Sequence, residues 1–257
     1  MVVGMDIFKS WFKDYQDNYI IIGGSACDAA ITDAGLTPRA TKDIDIILVI
    51  EALSDAFVAH FWEYVKAARY GRCEQEMEKR NAYRFCNPAD NSFPKQVELF
   101  CRKPDALTVP EDLHITPIPV GEGLSSLSAI LLNDDYYNFT LQHSYFDDGI
   151  HYANIESLIC LKAFAFLSNK RLKENGENIH SVDIVKHKND VFRLLPLMPS
   201  DNKIELPESI HDDMEIFARE LENNLPNQQV LKDSGYEGLE PENLYRNMLS
   251  IFQLEII

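Results

Sequence analysis

The 257-residue sequence predicts an α+β protein, with a mixed β-sheet core and flanking helices followed by a mainly helical C-terminal lobe. Three observations lead there. Short apolar runs at Tyr19–Ile22, Asp43–Ile50 and Gln96–Cys101 read as buried strands. After Asn154 the apolar spacing changes to the helical period. An apolar fraction of 46 %, with 14 Phe and 11 Tyr, is enough to fill a core and excludes a disordered polar chain.

Taken in order, Ile7, Phe8, Trp11, Phe12 and Tyr15 recur at helical spacing within residues 5–17. The strand Tyr19–Ile22 is ended by Gly23-Gly24, and Ser25 then caps a helix to about Asp33, with Gly35 as its stop. Asp43–Ile50 is a strand and 54–69 a helix rich in aromatics. Strands follow at 82–86, 96–101 and 115–120, with Asn87-Pro88 and Lys103-Pro104 as turns between them. Within 121–152, Tyr136–Gln142 is open to a strand reading, and Gly149 follows a loop. Helices are expected over 154–168, 181–195, 208–224 and 241–254. The domain expectation is a core over 1–120, a connecting strand and loop segment over 121–153, and a helical lobe over 154–257.

The net charge of −17 argues against a general nucleic-acid coat, because counterion release needs clustered Lys and Arg. It leaves room for a local grip on one RNA end or one nucleotide. Residues 201–257 hold 13 acids against 4 bases, most simply as solvated helix faces. The five cysteines form no CxxC pair and no zinc spacing, which reads as reduced thiols in a cytoplasmic protein. No apolar run is long enough to span a membrane, and the N-terminal residues lack a signal-peptide pattern.

Chemistry concentrates in three places. Gly23-Gly24-Ser25 ends a strand and opens a helix, which leaves backbone N–H groups for a phosphate with no Cβ in the way. Asp43 and Asp45, two apart in a strand, project from one face, where a hard divalent cation such as Mg²⁺ relieves their mutual repulsion. Glu98 is the only acid of an apolar strand. If that strand lies beside the first, three carboxylates converge as a phosphoryl-transfer site requires.

Gly23-Gly24-Ser25-Ala26, then Arg39-x-Thr41-x-Asp43-Ile44-Asp45, then Val97-Glu98-Leu99 resembles the nucleotidyltransferase superfamily with the DNA polymerase β-like fold. The longer Arg-x-Thr-x-Asp-x-Asp form is most similar to the AbiEii/AbiGii toxin-like branch. The resemblance covers roughly residues 19–101. It implies transfer of a nucleoside monophosphate from a nucleoside triphosphate, dependent on Mg²⁺ or Mn²⁺. By that match Asp43, Asp45 and Glu98 are the catalytic, metal-binding acids, and Gly23, Gly24, Ser25, Arg39 and Thr41 belong to the nucleotide site.

Two cations in the second half stand on apolar helix faces. Lys162 lies among Leu158, Ile159, Leu161 and Phe166, so it either snorkels out or points into a pocket. Lys188 shares a stripe with Ile184, Val191 and Leu195. The same branch carries a comparable lysine and a Lys-Asp element. This implies that Lys162, Lys188 and Asp190 touch the nucleotide and that the helical lobe completes its site. It also implies an RNA or transfer-RNA acceptor and an antitoxin partner. The acidity suits a small cationic acceptor, aminoglycoside-like, better on electrostatic grounds, and a non-catalytic nucleotide- or partner-binding module is the third reading. His180, Asp183 and His187 lack the tight spacing of a zinc helix.

Overall fold

The computed structural model describes residues 2–72, 83–103, 115–118 and 128–255, and the chain divides into two units. The first holds Met1–Ala26 and Ala40–Ala153, the second Cys27–Arg39 and Asn154–Ile257.

The first unit is built on β1 (Tyr19–Ile22) and β2 (Asp43–Leu48), which pair antiparallel with Ile22 opposite Asp45. All four β1 residues are buried, as a run of three isoleucines demands of a central strand. Beside β2 runs β5 (Gln96–Cys101), parallel to it, and β4 (Arg84–Cys86) pairs antiparallel with β5. On the other side, β9 (Ile150–Ala153) is parallel to β1 and carries β8 (Ser144–Asp147) antiparallel at the edge. Among the described residues the sheet has nine strands, in the order β3-β4-β5-β2-β1-β9-β8. Here β3 is Gly71–Arg72, while β6 (Ile115–Pro117) and β7 (Ser128–Leu131) attach through β5. The sheet is therefore mixed, and the α+β expectation holds.

An aromatic layer packs between β1 and two helices, α1 (Met5–Trp11) and α3 (Asp55–Ala68). Phe8 lies edge-on to Tyr19 at 5.2 Å, and Phe12 lies 5.2 Å from Tyr64. Phe8, Phe12, Phe57, Phe61 and Tyr64 are fully buried, each worth about 2 kcal/mol of apolar transfer. α1 stops at Trp11, short of the expected residue 17. The aromatic spacing beyond it serves tertiary contact instead, with Tyr15 stacked on His60 at 4.9 Å. Ser54 caps α3, accepting from the Phe57 N–H at 3.2 Å.

The segment 128–153 departs most from expectation. Tyr136–Gln142, open to a strand reading in the sequence, is helical, within α4 (Asp134–Gln142). Asn133 caps it by accepting from the Asp135 N–H at 2.7 Å, and Asp134 and Asp135 sit at the positive end of its dipole. Those local signals outweigh the β-propensity of two tyrosines and a phenylalanine. The loop before Gly149 is a β-hairpin turn, with Asp148 and Gly149 both at positive φ, 43° and 77°.

The second unit is helical: the body of α2 (Gly23–Asp33), then α5 (Ile155–Glu174), α6 (Ser181–Leu194), α7 (Glu208–Leu221), α8 (Gln229–Asp233) and α9 (Pro241–Ile251). α5 runs past the expected residue 168 because nothing breaks it before Gly176, which takes φ 92° beyond the cap. It packs on α6 and α7, with Phe166 edge-on to Phe217 at 5.3 Å.

Cys27, Cys101 and Cys160 are buried free thiols. Cys86 is disulfide-bonded, which corrects the expectation of five reduced cysteines. No helix among the described residues is long and apolar enough to cross a membrane.

Candidate active site

The carboxylate face of the first unit follows from strand register. Asp45 pairs with Glu98 across β2 and β5, and Glu98 pairs with Arg84 across β5 and β4. Cross-strand partners project to the same face, so Asp45, Glu98 and Arg84 form one row, with Asp43 two residues along β2. Burial follows the pleat: Asp43 is exposed, Asp45 half-buried, and Ile44 and Ile46 on the opposite face fully buried. The juxtaposition that the sequence leaves conditional, β2 beside β5, is realised.

The glycine turn closes on this row. Gly23 sits at φ +67°, and a Cβ there would lie 2.0 Å from Asp45 Oδ2. α2 opens at Gly23, two residues earlier than the cap assigned to Ser25. Ser25 is buried instead, and its hydroxyl donates to the backbone carbonyl of Asp43. The first turn of the helix is thereby tied to the first residue of the acid-bearing strand. The leading amides of such a helix lack intrahelical partners and carry the positive end of its dipole. Thr41 is half-buried in the approach to β2.

Glu98 is buried and paired with Arg84, whose Nε donates to Oε1 at 2.5 Å and whose Nη2 bridges to the same oxygen. Among the described residues no three His, Cys, Asp or Glu side chains are grouped closely enough to hold a metal ion. Asp43 and Asp45 do offer what a hard divalent cation requires, oxygen donors on one face beside a turn that only glycine fits. The third acid is held to a guanidinium.

The second unit brings three of the expected nucleotide ligands together. Asp190, on α6, is 2 % exposed and accepts both Arg39 Nε at 3.0 Å and Arg39 Nη2 at 3.1 Å. Lys162 Nζ lies 3.1 Å from Oδ2 and Arg193 Nη1 3.1 Å from Oδ1. Burial works against the Asp190 charge, but Lys162 and Arg39 outweigh it and hold the carboxyl down at about 2. Burial likewise works against the charge on Lys162, and the ionised Asp190 beside it more than offsets the penalty. Lys162 therefore neither snorkels nor stands alone; it is one of three cations around one carboxylate.

Lys188 is occupied elsewhere, donating to Asn224 O at 2.7 Å and Asn224 Oδ1 at 2.9 Å just beyond α7. That accounts for a lysine on an apolar stripe. His187 Nε2 accepts from Asn169 Nδ2 at 3.2 Å, and burial pushes its imidazole down to about 3. Sequence reasoning missed Arg84 and Arg193. Arg193 stands three residues after Asp190 on one helix, a spacing that pairs charges and could have been read. Arg84 carried no local signal, because its partner is 14 residues away on another strand. A separate hollow of about 670 Å³, lined by residues such as Trp11, Tyr15 and His60, contains none of the carboxylates of the row.

No protein-family model matches the chain, and no curated protein matches it. Among solved structures, the chain is similar to the Megavirus polyadenylate synthase, with a TM-score of 0.36 and 13 % identity over 86 % of this chain. It spans 36 % of that protein's length. At that level of similarity nothing about function follows.

Proposed function

We propose that this chain is a metal-dependent nucleotidyltransferase, moving a nucleoside monophosphate from a nucleoside triphosphate to an acceptor hydroxyl. One observation carries the reading: Gly23 closes on Asp45, in register with Glu98, so a phosphate-suited helix start and the carboxylates share one place. Asp43 and Asp45 hold Mg²⁺ or Mn²⁺ through oxygen, and Glu98 is the third acid. When bound, the cation supplies charge neutralisation of the triphosphate and lowers the pKa of the acceptor hydroxyl. The leading amides of α2 meet phosphate oxygens where Gly23 and Gly24 let the backbone approach. Ser25 contributes by holding that turn against β2, since its proton is committed to the Asp43 carbonyl. The residues act by positioning and charge, with no covalent intermediate on the protein.

For the acceptor, the toxin-like resemblance supports an RNA end, with an antitoxin as protein partner. The net charge of −17 supports a second reading, a small amine-bearing acceptor drawn to an acidic protein. Acceptor binding that weakens steeply with salt marks RNA; shallow dependence marks the amine.

Calorimetry of each nucleoside triphosphate, with and without Mg²⁺, tests the site on the wild type and on Asp43→Ala/Asp45→Ala. Metal-dependent binding lost in the double variant is expected. Absence of all triphosphate binding in the wild type overturns the reading and leaves an interaction module. Binding without pyrophosphate release under any acceptor leaves a nucleotide-binding protein that does not turn over.

A further inference from the structure

We infer that Arg84 is a positioning residue that controls when Glu98 joins the two aspartates: its guanidinium and a divalent cation compete for one carboxylate. The inference rests on the reading of Asp43 and Asp45 as metal ligands. It begins with burial. Glu98 lies between Val97 and Leu99, both fully buried, and its own side chain is 11 % exposed. A carboxylate in that setting needs a counter-charge, because burial strips the water that would otherwise stabilise it. Strand register supplies it, since β4 places Arg84 directly opposite Glu98 and on the same face.

The same register places Asp45 on the other side of Glu98. Glu98 thus stands between a guanidinium on one neighbouring strand and the aspartate pair on the other. With Arg84 engaged, no three acids are grouped for a metal among the described residues. Completing the acid set requires the Glu98 carboxylate to turn from β4 toward β2. Arg84 is built to release it. Its side chain is 36 % exposed, and its guanidinium lies 5.7 Å from the Tyr83 ring centroid, so the charge retains water and an aromatic face. The Arg84–Glu98 salt bridge therefore competes with a cation for this carboxylate and keeps three carboxylates from meeting with no positive charge among them.

A double-mutant cycle on the full chain, with Mn²⁺ alone as the probe and its free concentration read by electron paramagnetic resonance, separates this from a general field effect. Arg84→Gln is expected to tighten Mn²⁺ binding about tenfold when Glu98 is present and by less than about twofold in the Glu98→Gln background. Arg84→Lys keeps the charge, loses the fork and gives a smaller tightening. It also carries the test if melting shows that Arg84→Gln does not fold. Equal tightening in both backgrounds overturns the inference, since the guanidinium then acts only through its field. No tightening, or a loss of affinity, overturns it as well. A folded wild type that binds no Mn²⁺ fails differently, because Asp43→Ala then has nothing to remove. That result overturns the metal site itself and the Arg84 role with it.

Discussion

Gly23 and Asp45 are packed so closely that a single added carbon would overlap the carboxylate: a Cβ on Gly23 would stand 2.0 Å from Asp45 Oδ2. The turn and the acid-bearing strand are therefore one construction. Gly23→Ala meets two penalties, the positive φ of 67° and the collision. It should destabilise the chain by about 1–3 kcal/mol in urea unfolding and weaken triphosphate binding by displacing Asp45. Unchanged binding with lowered stability would separate the turn from the site.

Asp43 is exposed and Asp45 half-buried, and an amide at either position keeps the size of the side chain. Asp43→Asn/Asp45→Asn should melt close to the wild type and lose nucleotidyl transfer by at least about 100-fold, as loss of metal-borne charge stabilisation requires. Transfer assays with labelled triphosphate and a melting curve check both halves. Retained transfer excludes these residues from the chemistry.

Asp190 predicts an acid limit for the second unit. Its carboxyl sits at about 2 in the folded chain against an ordinary 3.8, so folding favours the ionised form. The resulting stability, on the order of 2 kcal/mol, is complete above about pH 4 and is lost as pH falls through about 2. Asp190→Asn should flatten the stability profile between those values. Asp190→Ala leaves Lys162, Arg39 and Arg193 without their shared counter-charge and should cost about 3–5 kcal/mol at neutral pH. A neutral-pH stability unchanged in Asp190→Ala would show that the cluster does not hold this unit together.

Lys188 separates a structural lysine from a ligand. Lys188→Met removes the charged donor to Asn224 and should destabilise by about 1–3 kcal/mol, with triphosphate affinity unchanged. A drop in affinity at unchanged stability would return Lys188 to the nucleotide site.

Local pattern was legible wherever one element settles the matter. Three isoleucines closed by two glycines make β1 and its turn, and a two-residue spacing puts Asp43 and Asp45 on one face whatever surrounds them. Tyr136–Gln142 stayed open between strand and helix because aromatic propensity is a weak prior that a cap at Asn133 and two acids in the first turn can override. The hairpin at Asp148-Gly149 carried a readable Asp-Gly signal.

The α+β class, the acid pair, the glycine turn and the isolation of Glu98 in an apolar strand are readable from residue order alone. What each charge faces depends on the assembled fold. Glu98 meets Arg84 through strand pairing, Ser25 gives its proton to the Asp43 backbone, and Arg39 reaches Asp190 across 151 residues of chain. The reason is physical. The faces of strands and helices follow from backbone periodicity within a few residues, whereas a buried charge must be satisfied by whatever partner the whole fold brings to it.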